Sequence, residues 1–366
     1  MRIFLLEPFL SGSHQRWAEG LQSHSQHDIK ILALPGRHWK WRMYGGAVAL
    51  AAQFNQLKER PDLILATDML DLTTFLALTK KSSADIPTAI YFHENQVTYP
   101  WSPDDADVAL GRNNQYGFIN YTSVLVADHI FFNSNFHRNS FLEALPAFLG
   151  QFPDHKGMDN IETIKNKSTV LPLGMDLHRF DKYKSVKNNQ TPTLLWNHRW
   201  EYDKNPDLFF DALIKLKNNG HTFNLIVLGE SYKKSPPIFN KAKKDLADNI
   251  LHFGYADTFE KYASLICQAD ITPVTSRQDF FGGSVVEAIY CNCFPILPKR
   301  LAFPEHLPKE IHDDHFYDHE NDFYTALEAR VSNWSPTKNF VGEKFVKKYD
   351  WNNSVGQYDQ AFNKIM

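Results

Sequence analysis

The densest group of chemically capable residues is Thr275–Glu287, TSRQDFFGGSVVE, between an apolar run ending at Val274 and an amphipathic stretch opening near Gly283. Gly282 and Gly283 let the backbone approach a ligand, and a helix starting there offers free N–H groups and the positive end of its dipole. Asp279 lies on the turn and Glu287 a full turn into the helix. Two carboxylates so placed can accept hydrogen bonds from two polyhydroxylated parts of one ligand, as a nucleotide sugar would require. Alone, the pattern is equally a helix start with acids favoured by the dipole. Arg199 and Lys204 stand in a second turn, NHRWEYDKNP (Asn197–Pro206), after another apolar run. As an isolated pair they could simply be solvated charges.

The first half carries three further groups. In Ser11-Gly12-Ser13-His14, Gly12 permits a tight turn, and Ser13 and His14 can donate to phosphate or hydroxyl groups. His93-Glu94-Asn95-Gln96 follows the apolar run Thr88–Phe92. Four consecutive polar side chains there are costly unless solvated or engaged with a ligand. Arg37–Tyr44, RHWKWRMY, read as a loop, interleaves cations with Trp39, Trp41 and Tyr44. Such a mixture suits stacking on unpaired bases while Lys40 and Arg42 track phosphates; with its tryptophans tucked into the core it is an ordinary surface loop.

The elements that must position these groups alternate. Strands are expected at Ile3–Leu6, Asp28–Leu34, Asp62–Ala66, Thr88–Phe92, His129–Asn133 and Thr169–Leu173, with helices at 15–24, 46–58, 69–79, 115–127 and 135–145. A charged, amide-rich stretch at 181–192 reads as a linker. Alternation then restarts, with strands at Thr193–Asn197, Phe223–Leu228, Ile250–Phe253, Ile271–Pro273 and Phe294–Leu297 and helices at 205–219, 238–248, 257–267, 283–292 and 320–332. The pattern predicts an α/β chain of two doubly wound parallel sheets: an acceptor-side domain at 1–180, a nucleotide-sugar domain at 193–335, and terminal helices at 336–366 that pack back toward the first domain.

Composition narrows the class. The 366 residues are 43% hydrophobic and 22% charged, which is globular rather than disordered. Lys+Arg 39 against Asp+Glu 42 gives a net charge of -3, so RNA contact would rest on a local basic patch. Cys267, Cys291 and Cys293 fit neither a disulfide framework nor a four-cysteine zinc site, and are expected to be reduced thiols in a cytoplasmic protein. No stretch approaches the ~20 apolar residues of a membrane helix, so no membrane contact is expected.

Asp279 and Glu287 followed by Ala288 resemble the acidic pair of the retaining glycosyltransferases of family 4, which have the GT-B fold: two Rossmann-like domains facing a central cleft. The first acid of that pair is usually Glu; here it is one methylene shorter. The resemblance implies that Asp279 contacts the donor sugar and Glu287 the nucleotide ribose. It sets Arg199 and Lys204 on the donor pyrophosphate and implies no metal or other cofactor. Leu171–Asp176 with Phe180 resembles the family's interdomain segment. A narrower resemblance, to the tRNA-queuosine mannosyltransferases, rests on Glu7 with SGSH, on WKWR (Trp39–Arg42), on FHENQVTYP (Phe92–Pro100) and on Asp279–Pro295.

That group implies transfer of mannose from GDP-mannose, with retention, to queuosine in the anticodon loop of an aspartate tRNA. Carried over position by position, Gly12, Ser13, Phe281, Gly282, Gly283 and Ser284 join Arg199, Lys204 and Glu287 around the donor. His14, Trp39, Lys40, Trp41, Arg42, Glu94, Asn95 and Gln96 face the acceptor, and His93 lies near the reacting carbon with Asp279, Arg199 and Lys204. Two alternatives stay open: a GT-B enzyme with another donor or with a lipid or polysaccharide acceptor, and a non-catalytic protein that binds a sugar nucleotide or tRNA.

Overall fold

Runs such as LILAT, TAIYF and TLLWN are buried at every position, the mark of strands covered on both faces. The computed structural model describes residues 1–102, 105–112, 114–230, 235–335 and 340–365. It divides into two units, one formed by Met1–Asp176 and the chain from Tyr349 onward, the other by Leu177–Lys348.

In the first unit, β1 (Arg2–Leu10), β2 (Asp28–Pro35), β3 (Leu63–Thr67), β4 (Thr88–Phe92), β5 (His129–Phe132) and β6 (Ser168–Val170) form a parallel sheet ordered β2-β1-β3-β4-β5-β6. Strand order reverses between β1 and β3, so ligands are expected beyond the carboxyl ends of those strands. β1 runs further than its apolar core because Leu10 pairs with Pro35 past a register shift after Glu7, a bulge of the kind found beside functional sites. One face of the sheet is packed with Phe4, Leu50, Phe75 and Phe141, the other with Trp17, Tyr91, Trp351 and Tyr358.

In the second unit, β7 (Thr193–Asn197), β8 (Asn224–Leu228), β9 (Ile250–Gly254), β10 (Ile271–Pro273), β11 (Phe294–Pro298) and β12 (Phe316–Tyr317) are parallel and ordered β12-β11-β10-β7-β8-β9. Its switch point lies between β7 and β10. Trp196, Phe209, Phe210, Phe239 and Phe323 fill one side of this sheet.

Three expectations about organisation change. Arg37–Tyr44 is not a loop: a helix spans Trp39–Gln56, preceded by His38 in the left-handed region at φ 56°. Met43, Ala47, Leu50 and Phe54 are buried at helical spacing, so the apolar face extends the helix toward its N-terminus. The stretch at 181–192 is packed onto the second unit. Its Asn189 accepts from Trp334 Nε1 at 2.9 Å and donates to Asp270 at 2.9 Å, and Lys184 pairs with Glu343 at 2.7 Å. The polar stretch before β6 contains a helix, Asn160–Asn166.

Within the terminal segment, residues 336–339 and 366 lie outside the described residues. The helix Trp351–Asn363 belongs to the first unit. Tyr358 donates to the Pro172 carbonyl at 2.7 Å, and its hydroxyl accepts from Trp17 Nε1 and from the Gly174 backbone N–H. Among the described residues no helix is long and apolar enough to cross a membrane.

Candidate active site

The turns after β7 and β10 meet at the switch point of the second unit and are bonded together through their backbones. Arg277 N–H donates to the Asp203 carbonyl at 2.8 Å, and the Thr275 hydroxyl lies within 2.8 Å of the Lys204 carbonyl and 3.0 Å of the Asn205 carbonyl. Lys204, only 7% exposed, reaches across to donate to the Gln278 carbonyl at 2.6 Å. Its ammonium lies 3.1 Å from Asp203 and 3.2 Å from Asp279. Burial disfavours the ammonium, but the charges of Asp279 and Asp203 outweigh that cost and raise its pKa above that of free lysine. One oxygen of Asp279, Oδ2, is buried and has no protein partner, as do Ser276 Oγ and Gln278 Nε2. Buried polar atoms of this sort are expensive unless a ligand or water completes them.

Gly282 closes this turn at φ 82° and caps the helix Gly283–Tyr290. A Cβ there would come within 2.8 Å of the Phe303 ring, so glycine is required by both conformation and space. Phe281 is buried, and its carbonyl accepts from His306 Nε2 at 2.6 Å. Ser284 Oγ is 3.2 Å from His198 Nδ1. Burial, reinforced by Lys204 and Arg199, pushes the His198 pKa down to about 3, so that ring is neutral. Glu287 accepts from the Tyr262 hydroxyl at 2.5 Å, and Asn197 Nδ2 donates to the same hydroxyl at 3.0 Å. Arg199 is exposed and pairs with Glu201 at 3.2 Å.

The first unit gathers a different set at the ends of β1, β3 and β4. Glu7, fully buried, accepts from Phe9 N–H and lies 3.1 Å from His14 Nδ1. His14 packs against His93 with ring centroids 4.2 Å apart. Burial opposes a charge on His14, yet the charge and hydrogen bond of Glu7, with Asp68 and Glu94, raise its pKa to about 9. Burial and the neighbouring His14 and His137 hold the His93 pKa well below that of free histidine. Its backbone N–H donates to Asp68 Oδ1 at 2.8 Å and its carbonyl accepts from Asn133, while Nε2 is buried with no protein partner. Burial raises the Asp68 pKa to about 8. Ligand atoms of Glu7, His14 and His93 lie within 4.8 Å of one another, a donor set able to hold a metal ion; the Glu7–His14 ion pair satisfies two of the three without one.

Compared with known proteins, the chain is 35% identical over 320 residues to a tRNA-queuosine alpha-mannosyltransferase from Drosophila melanogaster, covering 84% of this chain and 82% of that protein. The chain belongs to that family. Residues 2–175 match the tRNA-queuosine alpha-mannosyltransferase N-terminal family, and residues 178–310 match the glycosyl transferases group 1 family. A sucrose-phosphate synthase from Thermosynechococcus elongatus superposes at TM-score 0.69 with 13% identity, covering 100% of this chain and 99% of that one. The Anabaena protein HepE, solved with UDP-glucose, superposes at 0.64 with 14% identity and full coverage of both chains. This member of the queuosine mannosyltransferase family is therefore a glycosyltransferase of the GT-B fold class.

The residues singled out in the sequence fare unequally in this mannosyltransferase-family chain. Lys204, Asp279, Phe281, Gly282, Gly283, Ser284 and Glu287 form one neighbourhood, with Arg199 on the turn that carries Lys204. Gly12 and Ser13 are exposed at the start of the helix Gly12–His24, while His14 is turned inward. Asn95 serves the loop itself: its Oδ1 accepts from the Val97 and Thr98 backbones and the Thr98 hydroxyl, which leaves only its buried Nδ2 unpaired. Gln96 donates to Glu94 at 2.9 Å.

Trp39 packs on Tyr116 and Trp101, and Lys40 is held by Asp105 at 2.6 Å and Asp107 at 2.5 Å. Both are half-buried. Trp41 is 63% exposed, and Arg42 is half-buried and donates to the Pro35 carbonyl. Sequence reasoning passed over Asp203, Tyr262 and Asp68. Asp203 and Asp68 had a legible signal, since each is an acid just past the carboxyl end of a switch-point strand. Tyr262 had none.

Proposed function

We propose that the chain transfers mannose from GDP-mannose, with retention of configuration, to queuosine in the anticodon loop of an aspartate tRNA. The observation that carries the reading is the meeting of Lys204 and Asp279 at the switch point of the second unit, beside the N-terminus of Gly283–Tyr290, in a chain of this family. A nucleoside diphosphate leaving group gathers negative charge as its bond to the anomeric carbon breaks. A buried ammonium, the Arg199 guanidinium and helix N–H groups stabilise that charge without reorganisation. The unpartnered Asp279 Oδ2 accepts from a hydroxyl of the mannose, and Glu287, oriented by Tyr262, accepts from the ribose.

On the first unit, neutral His93 offers Nε2 to a hydroxyl of the acceptor. The acceptor hydroxyl attacks the anomeric carbon on the face from which the diphosphate departs. The carbon–phosphate-oxygen bond breaks, the new carbon–oxygen bond forms, and a phosphate oxygen takes the hydroxyl proton. Lys204, Arg199 and the helix N-terminus supply the positive charge, so turnover survives chelation of divalent metal.

The test is incubation with a panel of nucleotide sugars and queuosine-containing tRNA, followed by mass analysis of the digested nucleosides. Queuosine heavier by one hexose with GDP-mannose alone is the expected result. Donor hydrolysis with no nucleoside shift would remove the tRNA acceptor and keep the donor site.

A further inference from the structure

A cavity of about 290 Å³ on the first unit is lined by Gln96, Tyr99, Trp101, Asn114, Phe148 and Gln151, among others. We infer that it receives one unpaired nucleobase of the RNA acceptor, an inference that rests on the proposed tRNA substrate. The volume sits at the low end of ligand sites, roughly 300 Å³, and suits one heterocycle. Aromatic walls suit a base's π-face. Among the polar groups are three side-chain amides, Gln96, Asn114 and Gln151, whose paired donor and acceptor atoms match base edges without demanding charge.

Asn114 Nδ2 donates to Gln151 Oε1 at 2.7 Å. That bond leaves the Asn114 side-chain carbonyl as an acceptor and the Gln151 amide as a donor. The remaining lining includes the small side chains Ala144 and Ala147, which keep the space open. Gly117 helps in another way: a Cβ there would lie 2.9 Å from the Phe148 ring and 3.2 Å from the Gln96 carbonyl. A larger residue would force the Phe148 ring or the Gln96 backbone to shift.

The cavity does not stand alone. Trp101 lies 6.3 Å from Trp39 and 5.8 Å from Tyr116, and Tyr116 lies 5.6 Å from Tyr44. The strip of rings thus runs from the cavity to Tyr44, 37% exposed, on the helix that carries the exposed Trp41. Arg37 and Arg112 are exposed on the same unit. RNA loops are read by splaying unpaired bases onto aromatic side chains while cations follow the backbone, and this surface has both parts.

Ala147 is exposed on the helix Asn135–Gly150, so Ala147→Trp fills the cavity without entering the core. The experiment compares this variant with the unaltered protein in two measurements: binding of a short RNA hairpin with a single-stranded loop, and KM for queuosine-containing tRNA. The expected result is at least about tenfold weaker hairpin binding and a similarly raised tRNA KM, with donor binding and kcat unchanged. Gln151→Ala should give a smaller loss of the same kind. Equal hairpin affinity in Ala147→Trp, or no hairpin binding by the unaltered protein, overturns the inference. If hexose transfer to tRNA proceeds while Ala147→Trp has no effect, the cavity assignment fails and the proposed function stands. If hairpin binding depends on the cavity but no nucleoside gains a hexose, the proposed function fails and the cavity assignment stands.

Discussion

Each unit concentrates charge at the carboxyl edge of a parallel sheet, and the two do so with different chemistry. In the second unit a buried lysine is held between Asp203 and Asp279, and nearby His198 is kept neutral with its pKa at about 3. Lys204 has its pKa raised further from neutrality, so the ammonium does not change charge across the physiological range. In the first unit the charge is that of the buried Glu7–His14 pair, with the His14 pKa at about 9, beside Asp68 at about 8 and a neutral His93. The second unit offers fixed charge, suited to a diphosphate that is anionic at any working pH. The first offers titratable groups, which in the proposed reaction would meet hydroxyls, where hydrogen-bonding pattern matters more than net charge.

Lys204→Ala breaks the comparison most severely. Removing the ammonium leaves the buried Asp203 and half-buried Asp279 carboxylates without their cation, which destabilises the turn. In the proposed reaction it also removes the principal positive charge on the leaving group. Turnover at saturating donor should fall about 10²–10³-fold, with donor binding weakened less. An unchanged kcat would exclude Lys204 from the chemical step.

The next prediction concerns pH and the first unit. The folded-state pKa of His14 is raised from 6.5 to about 9. Its stabilising contribution is therefore complete below about pH 6.5 and lost as pH rises through about 9. Deprotonation of Asp68, whose folded pKa is also raised, acts in the same direction as pH rises through about 8. The melting temperature should decline between pH 7 and 10, with up to about 3 kcal/mol at stake for His14. His14→Gln should flatten that decline, whereas substitutions at Lys204 should leave its slope unchanged. A slope between about pH 8 and 9 that is undiminished in His14→Gln would place the titration elsewhere.

The chemistry of the second unit was more legible in the sequence than that of the first. Asp279, Gly282 and Lys204 lie on two short turns, with Glu287 one turn into the helix that follows, and the flanking strands and helices are strongly patterned, so local spacing carries most of the geometry. The first-unit cluster instead joins Glu7, His14, Asp68 and His93 from separate segments, and although Asp68 stands just past a switch-point strand, only the sheet order makes it their neighbour. Trp39 and Trp41 show a further limit. Both read as members of one aromatic loop, but helical periodicity turns Trp39 onto Tyr116 and Trp101 and leaves Trp41 in solvent. Burial of Met43 and Ala47 one and two turns later is what fixes the phase. At 181–192, composition gave a linker, but hydrogen bonds to Asp270 and Trp334 hold the chain down; polar composition cannot distinguish solvation from such pairing.

Tyr262→Phe tests the finer design of the second unit. The hydroxyl donates to Glu287 and accepts from Asn197, while the ring packs near Phe180 and Phe259. Phenylalanine keeps the packing and removes the bond that orients the carboxylate. If Glu287 holds the ribose, donor KM should rise about 3- to 10-fold, the worth of one charge-assisted hydrogen bond felt indirectly, with kcat nearly unchanged. Glu287→Gln in the Tyr262→Phe background should then cost less than in the unaltered protein, because the two residues act as a unit. Full additivity would mean that Tyr262 orients nothing the donor uses. The effect would then belong to packing, and the contrast between a fixed donor site and a titratable acceptor side would rest on Lys204 and its two aspartates alone.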